Sequence, residues 1–291
     1  MTVGDGGGVA VVGSANLDIV VSLDRVPERG ETVFGTAYNE YPGGKGANQA
    51  IAAARLGRTS LVASVGRDAA GRDLVEYLAA RHVDTTWMLR EAPATGRAFI
   101  TVTPDGENAI TVLSLANSEL EPAEVIESLD RIRPRVVASQ QEVSPAAVAA
   151  AVQWCVHNSA RFVLNASPTG PLPAAAVELA DPLIVNEVEA RAILGLDASD
   201  GGDGASLARA LGGRARSAVL TAGSRGAFVV RAGAVTPIGA LAATPVDTTG
   251  AGDEFAGTLA GCLARGDDLL DAAAMANAAA ARLIGIPRGD R

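Results

Sequence analysis

The segment Asp247-Thr248-Thr249-Gly250-Ala251-Gly252-Asp253 brings turn-forming residues, hydroxyls and two carboxylates together just ahead of a helix-compatible run that extends to about Ala264. Small residues at Gly250, Ala251 and Gly252 let the backbone turn sharply into that helix. Its first amide N–H groups then converge at the positive end of the helix dipole and can hold an anion. Asp253 falls beside this hole, placed to take a proton from an attacking hydroxyl. An anion hole with an adjacent base is what phosphoryl transfer to an alcohol needs, because that chemistry is mostly positioning and charge neutralisation. The tetrapeptide Gly-x-Gly-Asp alone also fits an ordinary turn with an Asp cap. Asp247 and the two threonines before it favour the chemical reading, and Ala256, Gly257, Ala260 and Gly261 after it suit close packing of the helix.

A second dense motif, Pro42-Gly43-Gly44-Lys45-Gly46-Ala47-Asn48-Gln49-Ala50, precedes an alanine-rich helical stretch. Its paired glycines allow close backbone approach, while Lys45 and Asn48 offer donors to hydroxyl groups. A plain flexible turn before a helix accounts for the same residues equally well.

Elements that could position these motifs follow from the apolar pattern. Residues 9–13 read as a buried first strand, after a glycine-rich lead-in at 4–8. Because those glycines precede the strand, the order counts against a dinucleotide fingerprint and a nicotinamide enzyme, and Lys45 is followed by Gly46, so no Walker A loop is present. Runs at 19–23, 32–40, 98–103 and 108–113, around turn signals such as Pro104-Asp105-Gly106, predict a small separate sheet. Strands at 60–65, 136–138, 162–165, 183–185, 218–221 and 227–230 alternate with helices. The expected fold is therefore α/β, a mostly parallel sheet with helices on both faces. Ligands bind such sheets beyond the carboxyl ends of the strands. That rule singles out Asn16 and Asp18 after the first strand, then Glu142, Asn165, Asn186 with Glu189, and the stretch from Thr221 to Gly226.

Composition narrows the partners. The chain has 291 residues, enough for a large core, and 48% are apolar although only 3% are aromatic. A net charge of −9 argues against a broad nucleic-acid surface and for small-molecule partners. Cys155 and Cys262 fit no metal spacing and read as buried free thiols; His82 and His157 are isolated. No signal-like segment or apolar run of about 18 residues is found, so a cytoplasmic protein that meets no membrane is expected.

Taken together, the two motifs resemble the two signatures of the ribokinase-like, or PfkB, carbohydrate kinase family. The resemblance spans nearly the whole chain and includes Gly13-Ser14-Ala15-Asn16-Leu17-Asp18, Pro27-x-x-Gly30-Glu31-Thr32, Asn186-Glu187-x-Glu189 and Thr221-x-Gly223-Ser224-x-Gly226. It implies a three-layer α/β/α unit over residues 1–291, with a small β lid formed by about 18–42 and 97–114 that closes over a sugar. It further implies ATP-dependent transfer to the 5-hydroxyl of ribose. Asn16, Asp18, Gly44, Lys45, Asn48 and Glu142 would bind the sugar, Asp253 would be the base, and Gly250, Ala251 and Gly252 the anion hole. Thr221, Gly223, Ser224 and Gly226 would hold the nucleotide phosphates with Gly252, and Asn277 would lie near the adenine. Asn186 and Glu189 would orient Mg²⁺ through water. Asp247 and Thr249 would be the first ligands of a potassium ion, whose site and a final helix follow residues 286–289 in the family. Pairing through the lid implies a homodimer. The 110–115 segment lacks the Pro-Gly that precedes Ala-Asn in ribokinases. A nucleoside kinase of the same family and a non-catalytic sugar-binding relative are the alternatives. The few aromatics near the lid, Phe34, Tyr38, Tyr41 and Phe99, disfavour the first, and retention of Asp253, the Gly-Ala-Gly turn and Glu189 disfavours the second.

Overall fold

A computed structural model describes residues 7–104, 108–197, 200 and 202–291, and within them not the side chains of Arg90, Glu91 and Asn108. Most of the Pro104-Asp105-Gly106 turn, and the first glycines of the lead-in, lie outside the described residues. The first half runs β1 (Val9–Val12), β2 (Asn16–Leu23), β3 (Gly35–Gly43), α1 (Lys45–Ala54), β4 (Thr59–Gly66), α2 (Ala69–Ala79), β5 (Val83–Asp84), β6 (Met88–Ala92), β7 (Gly96–Val102) and β8 (Asn108–Leu113). Helices and strands then alternate, except for one helix pair before β12: α3 (Pro122–Ile132), β9 (Val136–Ser139), α4 (Pro145–Asn158), β10 (Arg161–Asn165), α5 (Ala174–Glu178), β11 (Leu183–Asn186), α6 (Glu187–Leu194), α7 (Gly204–Leu211) and β12 (Ser217–Thr221). The chain then forms β13 (Ala227–Arg231), β14 (Ala234–Ile238), α8 (Ala251–Arg265) and α9 (Leu269–Leu283).

The large sheet has the order β14-β13-β12-β11-β10-β9-β1-β4-β5, with β6 also on β4. From β12 to β5 its neighbours are parallel, joined by helical crossovers, whereas β13 and β14 are antiparallel. The reversal has a simple cause: the connection from β12 to β13 is too short for a crossover, so the chain must turn back on itself. Burial on both faces follows the strand period of two. Val9 and Val11 join one cluster with Phe255, Leu259 and Ala276 of α8 and α9, while Ala10 and Val12 face the other with Leu129 and Val148 of α3 and α4. Among the described residues, no helix is long and apolar enough to cross a membrane.

A second sheet, β3-β2-β7-β8, stands apart from the first. Two expectations needed adjustment here. The run expected at 19–23 starts earlier, so Asn16 and Asp18, which follow β1, belong to β2 and pair with Gly43 and Tyr41. The run expected at 32–40 is displaced to 35–43, so Pro42 opposes Leu17 inside a strand. Proline and glycine usually punctuate a chain, but β3 is an edge strand, where a missing N–H costs no ladder bond.

Candidate active site

Two helix N-termini build the site. Gly44 (φ 93°) caps α1 and Gly250 (φ 77°) caps α8. The Gly250 conformation is left-handed, which glycine adopts without the clash that a Cβ brings. The turn is closed by the Ala251 amide donating to Thr248 O (3.2 Å) and the Glu254 amide to Gly250 O (2.8 Å). The amides of Gly252 and Asp253 in the first helical turn have no intrahelical acceptor and remain available to an anion.

The two helices approach each other closely. A Cβ built on Gly257 of α8 would lie 2.2 Å from the Gln49 carbonyl oxygen of α1, so only glycine fits there. This seam brings the two sequence motifs into direct contact. Asn48 Nδ2 donates to Asp253 Oδ2 and Gln49 Nε2 to Asp253 Oδ1, each at 3.1 Å. The Asp253 carboxylate is buried and fixed from both sides.

Around it the other predicted residues fall into three groups. Glu142, on the loop after β9, accepts from Ser14 Oγ (2.6 Å) and from the Lys45 amide (3.1 Å). Lys45 lies among Asp253, Glu142, Glu189 and Asp18; burial draws its pKa down, yet these four carboxylates outweigh it and the net shift is upward, so its ammonium persists. Asp18 points from β2, with Oδ2 accepting from Arg288 Nη2 and Oδ1 buried without a partner. Burial pushes the Asp18 carboxyl up to about 6, Arg288 pulls it back by charge and hydrogen bond, and Glu142 and Asp253 add to the rise. Asn16 accepts from Asn117 Nδ2 (2.6 Å), and Asn117 Oδ1 in turn accepts from the Ala15 amide (2.9 Å).

A polar cavity of about 230 Å³ opens between the two halves. Lys45, Asn165, Asn186, Glu189, Thr221 and the 250–253 turn line it, so residues from the ends of β10, β11 and β12 meet the α8 turn. Asn186 and Glu189 form a reciprocal capping box on α6: Asn186 Oδ1 accepts from the Glu189 amide (2.9 Å), and Glu189 Oε2 from the Asn186 amide (2.8 Å). Gly223, Ser224, Gly226 and Asn277 lie outside that cavity lining. Gly223 and Ser224 form an exposed single turn after β12, and Asn277 Nδ2 donates to Gly239 O (3.0 Å). A larger cavity of about 450 Å³ lies on the far side of Glu189, between α5 and α6, and contains none of the α1 or α8 residues.

Five contributors were not singled out by sequence reasoning: Ser14, Gln49, Asn117, Arg288 and Arg291. Ser14 and Gln49 sit inside the recognised motifs and could have been read as their internal braces. Arg291 matters most for the potassium expectation. Its guanidinium donates from Nη2 to Asp247 O and from Nη1 to Thr249 O, and Nη2 lies 3.9 Å from Asp247 Oδ1. The residues expected to begin a potassium site therefore already hold a cation.

A parallel sheet with helices on both faces, a four-stranded sheet beside it and a glycine turn carrying a buried carboxylate define a kinase-type architecture. Solved structures agree: the chain matches a ribokinase from Thermotoga maritima with a TM-score of 0.86 at 27% identity, covering 96% of this chain and 93% of that one. It matches a ribokinase from Arabidopsis thaliana, complexed with ribose and ATP, with a TM-score of 0.85 at 25% identity, covering 97% and 94%. In sequence it is 35% identical over 278 residues to the ribokinase of Bacillus subtilis, spanning 94% of this chain and 91% of that protein. The pfkB family carbohydrate kinase model matches residues 7–286. The chain belongs to that family and is a carbohydrate kinase.

Proposed function

We propose that the protein transfers the γ-phosphoryl group of ATP to the 5-hydroxyl of D-ribose, giving ribose 5-phosphate and ADP. The observation that carries this reading is the Asp253 carboxylate, held by Asn48 and Gln49 beside the free amides of the α8 turn. Asp253 takes the proton of the attacking hydroxyl as the new O–P bond forms. The Gly250–Gly252 turn neutralises charge on the phosphoryl oxygens while the bond to ADP breaks. Asn16, Asp18, Gly44, Lys45, Asn48 and Glu142 hold the sugar, whose adjacent hydroxyls both donate and accept hydrogen bonds. Thr221, Gly223, Ser224 and Gly226 hold the nucleotide phosphates, with Asn277 toward the adenine.

Asn186 and Glu189 suit Mg²⁺ as hard oxygen donors at the cavity rim, and their capping duties each leave one lone-pair direction or oxygen for a water of the ion. When bound, the ion neutralises charge on the β- and γ-phosphates. The four-stranded sheet acts as a lid that excludes water from the sugar. Exposed Tyr38 and Phe99, which share one face of it, support pairing of two copies into a homodimer through these sheets.

The test is ADP release from Mg-ATP with D-ribose, 2-deoxyribose, fructose, fructose 6-phosphate, adenosine, uridine and pseudouridine. Turnover highest on ribose supports the assignment. A nucleoside preferred over every sugar replaces ribose as the substrate, and silence on all of them removes the catalytic reading.

A further inference from the structure

The loop carrying Asp247, Thr248 and Thr249 runs directly into the anion hole, so its position sets where Gly250 begins α8. Three anchors hold it. The Val246 and Asp247 amides donate to Ile284 O (2.7 and 3.1 Å), the Thr249 amide donates to Asp247 Oδ1 (2.8 Å), and Arg291 spans the Asp247 and Thr249 carbonyls. Two backbone carbonyls and a nearby carboxylate are a hard, oxygen-only donor set, the kind that attracts an alkali or alkaline-earth cation. A potassium ion does not fit between these oxygens while the guanidinium spans them, since its positive charge would sit directly against that of Arg291.

We propose that the Arg291 guanidinium takes the place of a monovalent cation at this loop, so that the kinase works without potassium. The two N–H donors of Arg291 reach carbonyls two residues apart, a spacing that suits a planar fork and fixes the peptide between them. Burial draws the Arg291 guanidinium down from its ordinary value and Asp247 raises it again, and an arginine stays charged at neutral pH, so the loop is held there without added cation. Arg291 touches no reacting atom in the proposed reaction; it is a positioning residue acting through the Thr249–Gly250 peptide. This inference rests on the kinase reading above, and its test separates the two.

Native protein and Arg291→Ala are compared in potassium-free buffer (tetramethylammonium chloride) and with ~100 mM KCl, by ADP release on ribose and by melting temperature. Native turnover is expected to change less than about twofold with potassium. Arg291→Ala is expected to fall about tenfold or more without potassium, and to recover with KCl or with added guanidinium, because two charge-assisted bonds to the loop are lost and a small cation can replace them. Potassium should also raise the melting temperature of the variant by about 2 °C or more, and not that of the native protein, by mass action at a vacated site. Arg291→Lys should lie between the two. Strong activation of the native enzyme by potassium, or a variant whose melting and turnover ignore both cations, would overturn the inference. Should the native protein turn over no substrate, the kinase reading fails while the melting comparison still decides the cation question.

Discussion

Replacing Asp253 by asparagine isolates the base from the scaffold that holds it. Both carboxylate oxygens accept amide donors, so a new side-chain amide would set its NH₂ against either Asn48 Nδ2 or Gln49 Nε2. The structure supplies the remedy. Gln49 Oε1 is buried without a partner, and turning the Gln49 amide by a half-rotation lets that oxygen accept from the new NH₂. One unpaired amide atom is exchanged for another, so Asp253→Asn should change stability by less than about 1 kcal/mol, or about 2–4 °C in melting temperature. Turnover has no such remedy. Loss of general-base assistance is worth about 10²–10⁴ in kcat, which corresponds to ~3–5 kcal/mol of transition-state stabilisation. Coupled ADP-release kinetics at saturating ATP, with sugar affinity from calorimetry, should show kcat falling by that factor while sugar binding changes less than about tenfold. A variant that melts like the native protein and keeps kcat within about threefold of it would refute the role of Asp253.

Three further perturbations follow from the same geometry. Because the Asp18 pKa stands near 6, above the ordinary 3.8, the hydroxyl-accepting carboxylate is lost as pH falls through about 6, and calorimetric sugar affinity should weaken there. The sign for stability is opposite: a raised folded pKa contributes fully below about pH 4 and loses that contribution as pH rises through 6, so the sugar-free melting temperature should decline across this window and flatten in Asp18→Asn. Gln49→Glu replaces the amide donor to Asp253 by a second acceptor and should lower kcat by about tenfold or more in steady-state ADP-release kinetics. Gly257→Val forces a side chain into the Gln49 carbonyl across the α1–α8 seam and should cost about 3 kcal/mol in chemical denaturation, with kcat falling further than global unfolding explains.

Much of this was legible in the sequence because local chemistry and tertiary role coincide there. The Gly250–Asp253 turn needs a left-handed residue and a helix start, and both are written in four consecutive letters. Asn186 and Glu189 stood out by their place after an apolar run, although the capping box they form was not read from their spacing, and the alternation of apolar runs with helices pointed to the sheet type. Residues 16–18 and 42–43 were harder. Their strand character depends on pairing with each other, which no single segment reveals, and Pro42 reads as a breaker unless its place on an edge is known. Asn117 and Arg288 act entirely through long-range contacts, to Asn16 and Asp18, and carry no local signal. Two-residue β5 was missed because it is too short to show a period.

The glycine seam between α1 and α8 also constrains how relatives of this protein can diverge. Asn48, Gln49 and Asp253 ride on two helices locked at backbone contact, so neither can shift to accommodate a different acceptor without disturbing the base. Asp18 and Asn16 instead belong to β2 of the four-stranded sheet, whose edge strands β3 and β8 are largely exposed. On the proposed reaction, selection for a new sugar would therefore have room to act on β2, β7 and β8, while the residues assigned to phosphoryl transfer would be inherited as a single block.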